Sequence, residues 1–198
     1  MNFFLIILIY IVSFGFTWLF LKIFTLNVSK RLISQPNERS SHEKPTPQGG
    51  GLSFLIIGSI FAIYFGNLKL MYGCIPLGIV GFCDDFYKLN PWTRYFVQIL
   101  SVFYYLIIYK FDFFNYDFNS QLFSSFLFIL ILIFFTGFIN FINFMDGIDG
   151  IVALNLAIFL LVASIDVSTS IFPIFTSLIG FLIWNWYPAK IFMGDVGS

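Results

Sequence analysis

Apolar runs long enough to cross a bilayer recur along this chain with almost nothing charged inside them, and that pattern sets its class before any motif is considered. A hydrocarbon core of about 30 Å takes some 20 apolar residues per helix. Residues 3–24, 95–109, 122–142, 151–165 and 171–187 supply such runs. Residues 51–83 are also mostly apolar but carry "NLK" near the middle, so they read as two short spans, 51–66 and 69–83, turning at Asn67 and Lys69. Gly66, Gly73, Pro76 and Gly78 make that region irregular. Only 10% of residues are charged and 59% are hydrophobic, against about 25% charged in a soluble domain. The expected fold is therefore all-α: a polytopic transmembrane helical bundle of about seven spans, one integral-membrane domain over residues 1–198 with no separate soluble part. The N-terminal run has neither a basic leader nor a small-residue cleavage site and reads as a retained first span. Cys74 and Cys83 lie in one apolar run without a CxxC pattern and read as buried small apolar residues. Net charge is zero and no basic stripe is present, which argues against nucleic acid as a partner.

Seven spans place the loops 25–50, 84–94, 143–150 and 188–198 on one side. Lys30, Arg31, Arg39, Lys44, Lys88, Arg94 and Lys190 fall there, whereas the opposite loops hold only Lys110, with Lys69 at a span edge. That lysine and arginine bias makes the first side cytoplasmic. The same four loops carry every unusual polar cluster: "PNERSSHEKPTPQGGG", "GFCDDFYKLNPWTR", "NFINFMDGIDG" and "IFMGDVGS".

Asp84 and Asp85 follow a span directly. Neighbouring helical positions diverge by about 100°, so one carboxylate can face a site while the other braces a basic partner. Lys88, three residues beyond Asp85, is placed to hold a phosphate as a point charge. Asp146 and Asp149 share a face if helical, as do Asn140 and Asn143 one turn earlier. Gly147 and Gly150 allow close approach of a backbone or ligand. Asp195 sits between Gly194 and Gly197 just past the last span. No EF-hand loop and no Walker lysine is present. The glycines of "PTPQGGG" could offer backbone N–H groups to an anion or form a simple turn, and His42 is the only histidine. Carboxylates with asparagine and no Cys/His set suit a hard cation, Mg²⁺ or alternatively Mn²⁺, that completes its shell with water and substrate phosphates. The residues thus point to a cytoplasmic-face, metal-assisted site for a phosphorylated substrate.

With "RSSHEKPTPQGGG", "GFCDDFYKL", "NFINFMDGIDG" and "FMGDVGS" in this order, the chain resembles the polyprenyl-phosphate N-acetylhexosamine-1-phosphate transferase superfamily, glycosyltransferase family 4. Its first motif looks more like the bacterial undecaprenyl-phosphate GlcNAc-1-phosphate transferases and their O-antigen relatives than like the muramoyl-pentapeptide branch. The resemblance implies an enzyme of the bacterial inner membrane. Undecaprenyl phosphate attacks the β-phosphate of a UDP-N-acetylhexosamine, giving a lipid-diphospho-sugar and UMP with Mg²⁺, an early step of cell-envelope polysaccharide synthesis. It implies Asp84 and Asp85 as the essential acidic pair, and Asp146 and Asp149 as shaping the nucleotide and diphosphate site. Asp195 becomes a direct metal ligand, with Asn143 at the metal or the diphosphate, Lys88 at a phosphate and Asn140 beside the substrate. Members of the family continue with further spans and a donor-binding loop, so the chain reads as the N-terminal part of that domain. A homodimer is a further expected association. Two competing classes are a non-catalytic membrane partner derived from the enzyme and a cation transporter. The transporter is disfavoured because its site should lie near the bilayer midplane, whereas these acids sit at span ends.

Overall fold

The computed structural model describes residues 3–36, 44–109, 121–166 and 172–198. Arg39, His42 and Lys110 lie outside them. Seven α-helices are found among the described residues: α1 (Phe3–Asn27), α2 (Leu52–Tyr64), α3 (Leu68–Tyr87), α4 (Pro91–Ile108), α5 (Gln121–Met145), α6 (Ile151–Asp166) and α7 (Phe172–Asn185). Each coincides with an expected apolar run. Two helices, Phe4–Asn27 and Phe123–Met145, are long and apolar enough by themselves to cross a membrane, while Leu52–Tyr64, Ile151–Ala163 and Phe172–Asn185 are shorter apolar helices.

Local chemistry explains the boundaries. Residues 51–83 do split in two, but the turn spans residues 65–67, with Lys69 already inside α3 rather than in the turn; Gly66 there has a left-handed φ of 73°, which suits a residue with no Cβ. Pro76 does not end α3. The start of α4 follows the helix-entry pattern: the Asn90 side chain accepts from the Trp92 N–H at 3.0 Å, and Pro91 takes the first helical position, where its missing N–H costs nothing. Between α1 and α2, a 3₁₀ turn (Lys30–Leu32) leads into a two-strand antiparallel ladder, β1 (Ile33–Ser34) against β2 (Thr46–Pro47).

The best-buried core joins α1, α6, α7 and the segment after α7, through Leu21, Val152, Ala153, Leu178, Phe181, Ile191 and Met193. Helices α1 and α7 meet closely because their contact is lined by small residues. Thr17 and Ser177 share a buried hydrogen bond at 2.6 Å, and a Cβ on Gly180 would lie 3.1 Å from the Phe14 carbonyl. Close approach over small residues with a polar bond across the seam is how helices associate where lipid removes the hydrophobic drive. Helix α5 is different, leaving Phe126, Ile133, Phe134, Phe138 and Phe144 exposed. Both cysteines are free and half-buried rather than buried, and Cys74 Sγ lies 3.0 Å from the Tyr105 hydroxyl.

Candidate active site at one end of the bundle

The C-terminal ends of α3 and α5, the N-terminal end of α4 and the segment after α7 converge, and their polar side chains meet around Asp195. Asp84 and Asp85 part as their helical positions require. Asp84, 7% exposed, accepts from the Leu89 N–H at 2.7 Å and from Arg94 Nη1 at 2.9 Å. Asp85, 3% exposed, turns to the other strand of the site, its Oδ1 accepting from the Asp195 N–H at 3.1 Å. Asp85 Oδ2 is buried with no hydrogen-bond partner among the described residues.

Arg94, one turn into α4, ties the cluster together. The same Nη1 that meets Asp84 lies 2.8 Å from Asp195 Oδ2. With its amide oriented to satisfy both neighbours, Asn143 donates to Asp195 Oδ1 at 3.2 Å and accepts from Arg94 Nη2 at 2.5 Å. One guanidinium therefore bridges Asp84 on α3, the asparagine on α5 and the aspartate after α7. The sequence reading counted Arg94 only towards sidedness. Its spacing from the Asp pair, one helix N-cap away, was the available signal.

Glycines make the convergence sterically feasible at two points. Gly81 faces the Asp195 turn so closely that a Cβ there would overlap the Asp195 carbonyl and lie 2.7 Å from Val196 N. Gly194 has a φ of 75°, and a Cβ on it would collide with Asp85 Oδ2. The triple glycine serves the same packing. Gly50 N–H donates to the Phe192 carbonyl (3.0 Å), Gly51 N–H to Met193 (2.9 Å), and Phe192 N–H returns to Pro47 (2.7 Å). Of the two uses open for this stretch, the structure shows it as backbone pairing for the last segment, with these N–H groups already engaged.

The other expected residues divide. Helix α5 ends at Met145, so Asp146 and Asp149 lie in a turn and do not share a helical face. Asp146 lies towards the cluster, close enough to the Gly194 backbone and to the Asp195 and Asp85 carboxylates for each to act on its charge. Asp149 points away: its Oδ2 accepts from the Ala189 N–H at 2.9 Å, beside an Asn185 that accepts from Gly150 N–H (3.0 Å) and donates to the Ile191 carbonyl (3.0 Å). Asn140 is absorbed in an interhelical amide pair with buried Gln98 of α4, donating to it at 2.7 Å and to the Thr136 carbonyl at 2.9 Å. Lys88 leaves α3 in a left-handed conformation, φ 54°, exposed but near enough to Asp85 to act on its charge. Beneath Arg94, Asn143 and Asp195 opens a cavity of about 290 Å³, walled by apolar side chains including Leu55, Met71, Leu77, Ile139 and Ile142.

Residues 67–198, which hold this whole acidic cluster, match Glycosyl transferase family 4. The chain belongs to that family. It is 35% identical to a phospho-N-acetylmuramoyl-pentapeptide-transferase of Latilactobacillus sakei, over 77% of this chain and 57% of that protein. Proteins of the same description from Streptococcus gordonii and Limosilactobacillus fermentum are 36% and 29% identical, over 77% and 79% of this chain and 56% and 58% of theirs. The family 4 chain thus spans a little over half the length of the curated relatives it matches. Their description falls in the muramoyl-pentapeptide branch, not the branch its first motif resembles.

The electrostatics of the family 4 cluster bear on a cation. Burial, then the Asp195 and Asp85 charges, push the Asp146 carboxyl up to about 8, with the Gly194 N–H offsetting part. Burial and then the Asp84 carboxyl push Asp195 up to about 7, although Arg94 pulls the other way. Arg94 pairs with Asp84 and Asp195 alone, which leaves Asp85 and Asp146 in the same space without it, and Asp85 Oδ2 has no partner among the described residues. Among the described residues no three acidic, histidine or cysteine side chains form a ready-made metal shell. Oxygen donors, an orphaned carboxylate oxygen and too few protein ligands fit a hard divalent ion that keeps water and substrate phosphate in its shell.

Proposed function

We propose that this chain carries the acidic cluster of a site that transfers an N-acetylhexosamine 1-phosphate from a UDP-sugar to undecaprenyl phosphate, releasing UMP. The observation that carries this reading is the convergence of Asp84, Asp85, Asp146 and Asp195 on one turn beside Arg94 and Lys88, in a chain of this family. An acceptor phosphate oxygen attacks the β-phosphorus, the bond from that phosphorus to the bridging oxygen breaks, and UMP leaves with that oxygen and its electron pair. The second pKa of a phosphate monoester is about 6, so the acceptor arrives largely as a dianion and needs little help from a base. Asp84, already engaged by Arg94 and the Leu89 N–H, suits positioning better than proton abstraction. A Mg²⁺ ion would be held by Asp195 and Asp85 with Asn143 alongside, and when bound it would neutralise charge on the diphosphate. Arg94 and Lys88 supply further positive charge to the phosphates. Asp146 shapes the site beside them, whereas Asp149 and Asn140 support it from outside by bracing the 189 backbone and the α4–α5 seam.

Seven crossings with this end of the bundle in the cytoplasm belong to the same proposal, supported by the seven apolar helices and by the lysine and arginine bias of the loops. For the sugar, the first motif favours GlcNAc 1-phosphate, while the description of the relatives favours a phospho-MurNAc-pentapeptide. The test is Mg²⁺-dependent UMP release in membranes, given undecaprenyl phosphate and either UDP-GlcNAc or UDP-MurNAc-pentapeptide, with Asp85→Asn alongside. Release that needs lipid, Mg²⁺ and Asp85 supports the transferase and names its donor. Silence beside a working relative supports a non-catalytic membrane partner.

A further inference from the structure

A second cluster lies on the α1–α7 seam, apart from the carboxylates. Trp18 of α1 and Trp184 of α7 pack together, ring centroids 6.2 Å apart and planes at 54°. Each indole carries a lysine over its face: Lys22 Nζ is 5.3 Å from the Trp18 centroid, and Lys190 Nζ is 5.6 Å from that of Trp184. Both lysines are exposed, and neither forms an ion pair among the described residues, where every salt bridge belongs to Arg94. The Trp184 indole N–H is buried with no acceptor among the described residues. Trp186 and Tyr187, 56% and 76% exposed, continue the aromatic surface.

We infer that this Lys–Trp–Trp–Lys array binds the headgroup of an anionic phospholipid. Depth supports it. Lys22 lies five residues before the end of α1 at Asn27, about 7.5 Å at the helical rise, which is the zone between hydrocarbon and water. Indoles favour that level, and basic pockets between helices there take lipid phosphates. Charge supports it as well. An ammonium seated on an indole keeps its outward N–H donors free, and two such cations outside any ion pair among the described residues invite an anion. A phosphodiester on a diacylglycerol meets both demands, placing its oxygens at the lysines and its chains along the exposed flank of α1, where Ile11, Leu19 and Ile23 face outward. The site rests on the membrane placement of α1 and α7, not on the transferase reading, so a failed UMP assay leaves it standing.

The test uses the purified chain in detergent, with phosphatidylglycerol, phosphatidylcholine and inorganic phosphate as probes and bound lipid counted by native mass spectrometry. The wild type should retain phosphatidylglycerol in preference to phosphatidylcholine. Lys22→Gln with Lys190→Gln should cut that retention roughly 30-fold, equivalent to about 1 kcal/mol per basic residue. Lys22→Arg with Lys190→Arg should keep it, and Lys30→Gln should leave it within twofold. Equal retention of both lipids, undiminished retention in the glutamine pair, or loss in the arginine pair overturns the proposal. Competition by inorganic phosphate as effective as by the lipid also overturns it, in favour of a small-anion site.

Discussion

Replacing Gly81 by alanine puts a methyl group where the backbone of the Asp195 turn now lies. The new carbon would sit 2.7 Å from Val196 N and closer still to the Asp195 carbonyl. Relief to ordinary contact at about 3.5 Å or more moves the turn by roughly 1 Å. Neither neighbour is a flexible side-chain end, so the backbone must give. Overpacking of this kind costs about 1–3 kcal/mol, offset by about 1 kcal/mol of helix propensity gained at a helical glycine. The protein should therefore remain folded, at a net cost of about 0–2 kcal/mol. Its site should suffer far more, because a shift of about 1 Å in a reacting constellation costs on the order of 100-fold in rate, and a misplaced ligand support about 10–100-fold in metal affinity. The assay is the Mg²⁺-dependent rise in melting temperature of the purified chain, with UMP release as a second readout. Gly15→Ala in α1 is the control, since nothing lies within 4 Å of a Cβ there. If Gly81→Ala responds to Mg²⁺ at the same concentration as Gly15→Ala, the α3 backbone does not position Asp195 for a cation and the reasoning fails.

Asp149→Asn keeps an acceptor for the Ala189 N–H and should leave Mg²⁺ protection within a few-fold of wild type, whereas Asp146→Asn should lower it at least tenfold; the same thermal titration reads both. Arg94→Gln removes the bridge between Asp84 and Asp195 and should destabilise the protein by about 1.5–3 kcal/mol, less in Mg²⁺ than in EDTA, as thermal or denaturant unfolding would register. The raised carboxyls make a signed pH prediction. With Asp146 near 8 and Asp195 near 7 when folded, against about 3.9 when unfolded, the native state holds the extra protons between about pH 4 and 8, so stability in EDTA should fall as pH rises through that window. Mg²⁺ should flatten the slope, and an EDTA melting temperature that climbs from pH 5 to 8 would contradict the sign.

The helices were legible because each is one long apolar run with punctuation at its ends, down to the split near Asn67. The acidic cluster was legible as a set, since four polar islands in so apolar a chain had one common side to share. What the sequence could not reveal was which way each island turned. Helical spacing put Asp146 and Asp149 together, but the helix stops at Met145, before either of them, and the chain turns them to different partners. Asn140 looked like a site residue, yet an amide among apolar helices also needs a partner, and Gln98 met that need. Arg94 was counted as a topological charge because its bridging depends on three segments far apart in sequence. Gly81 looked like ordinary helix content until the last turn was seen lying against it.

The pairing between Asp85 and the Asp195 backbone spans 110 residues, and it sets an order of assembly. A ribosome adds about 5–20 residues per second, so the acidic pair on α3 waits roughly 5–20 s for the segment that covers it. Arg94, only ten residues behind Asp84, emerges almost at once. The guanidinium that later links three parts of the finished site is thus at hand for Asp84, as Lys88 is for Asp85, while the remaining helices are still to be made.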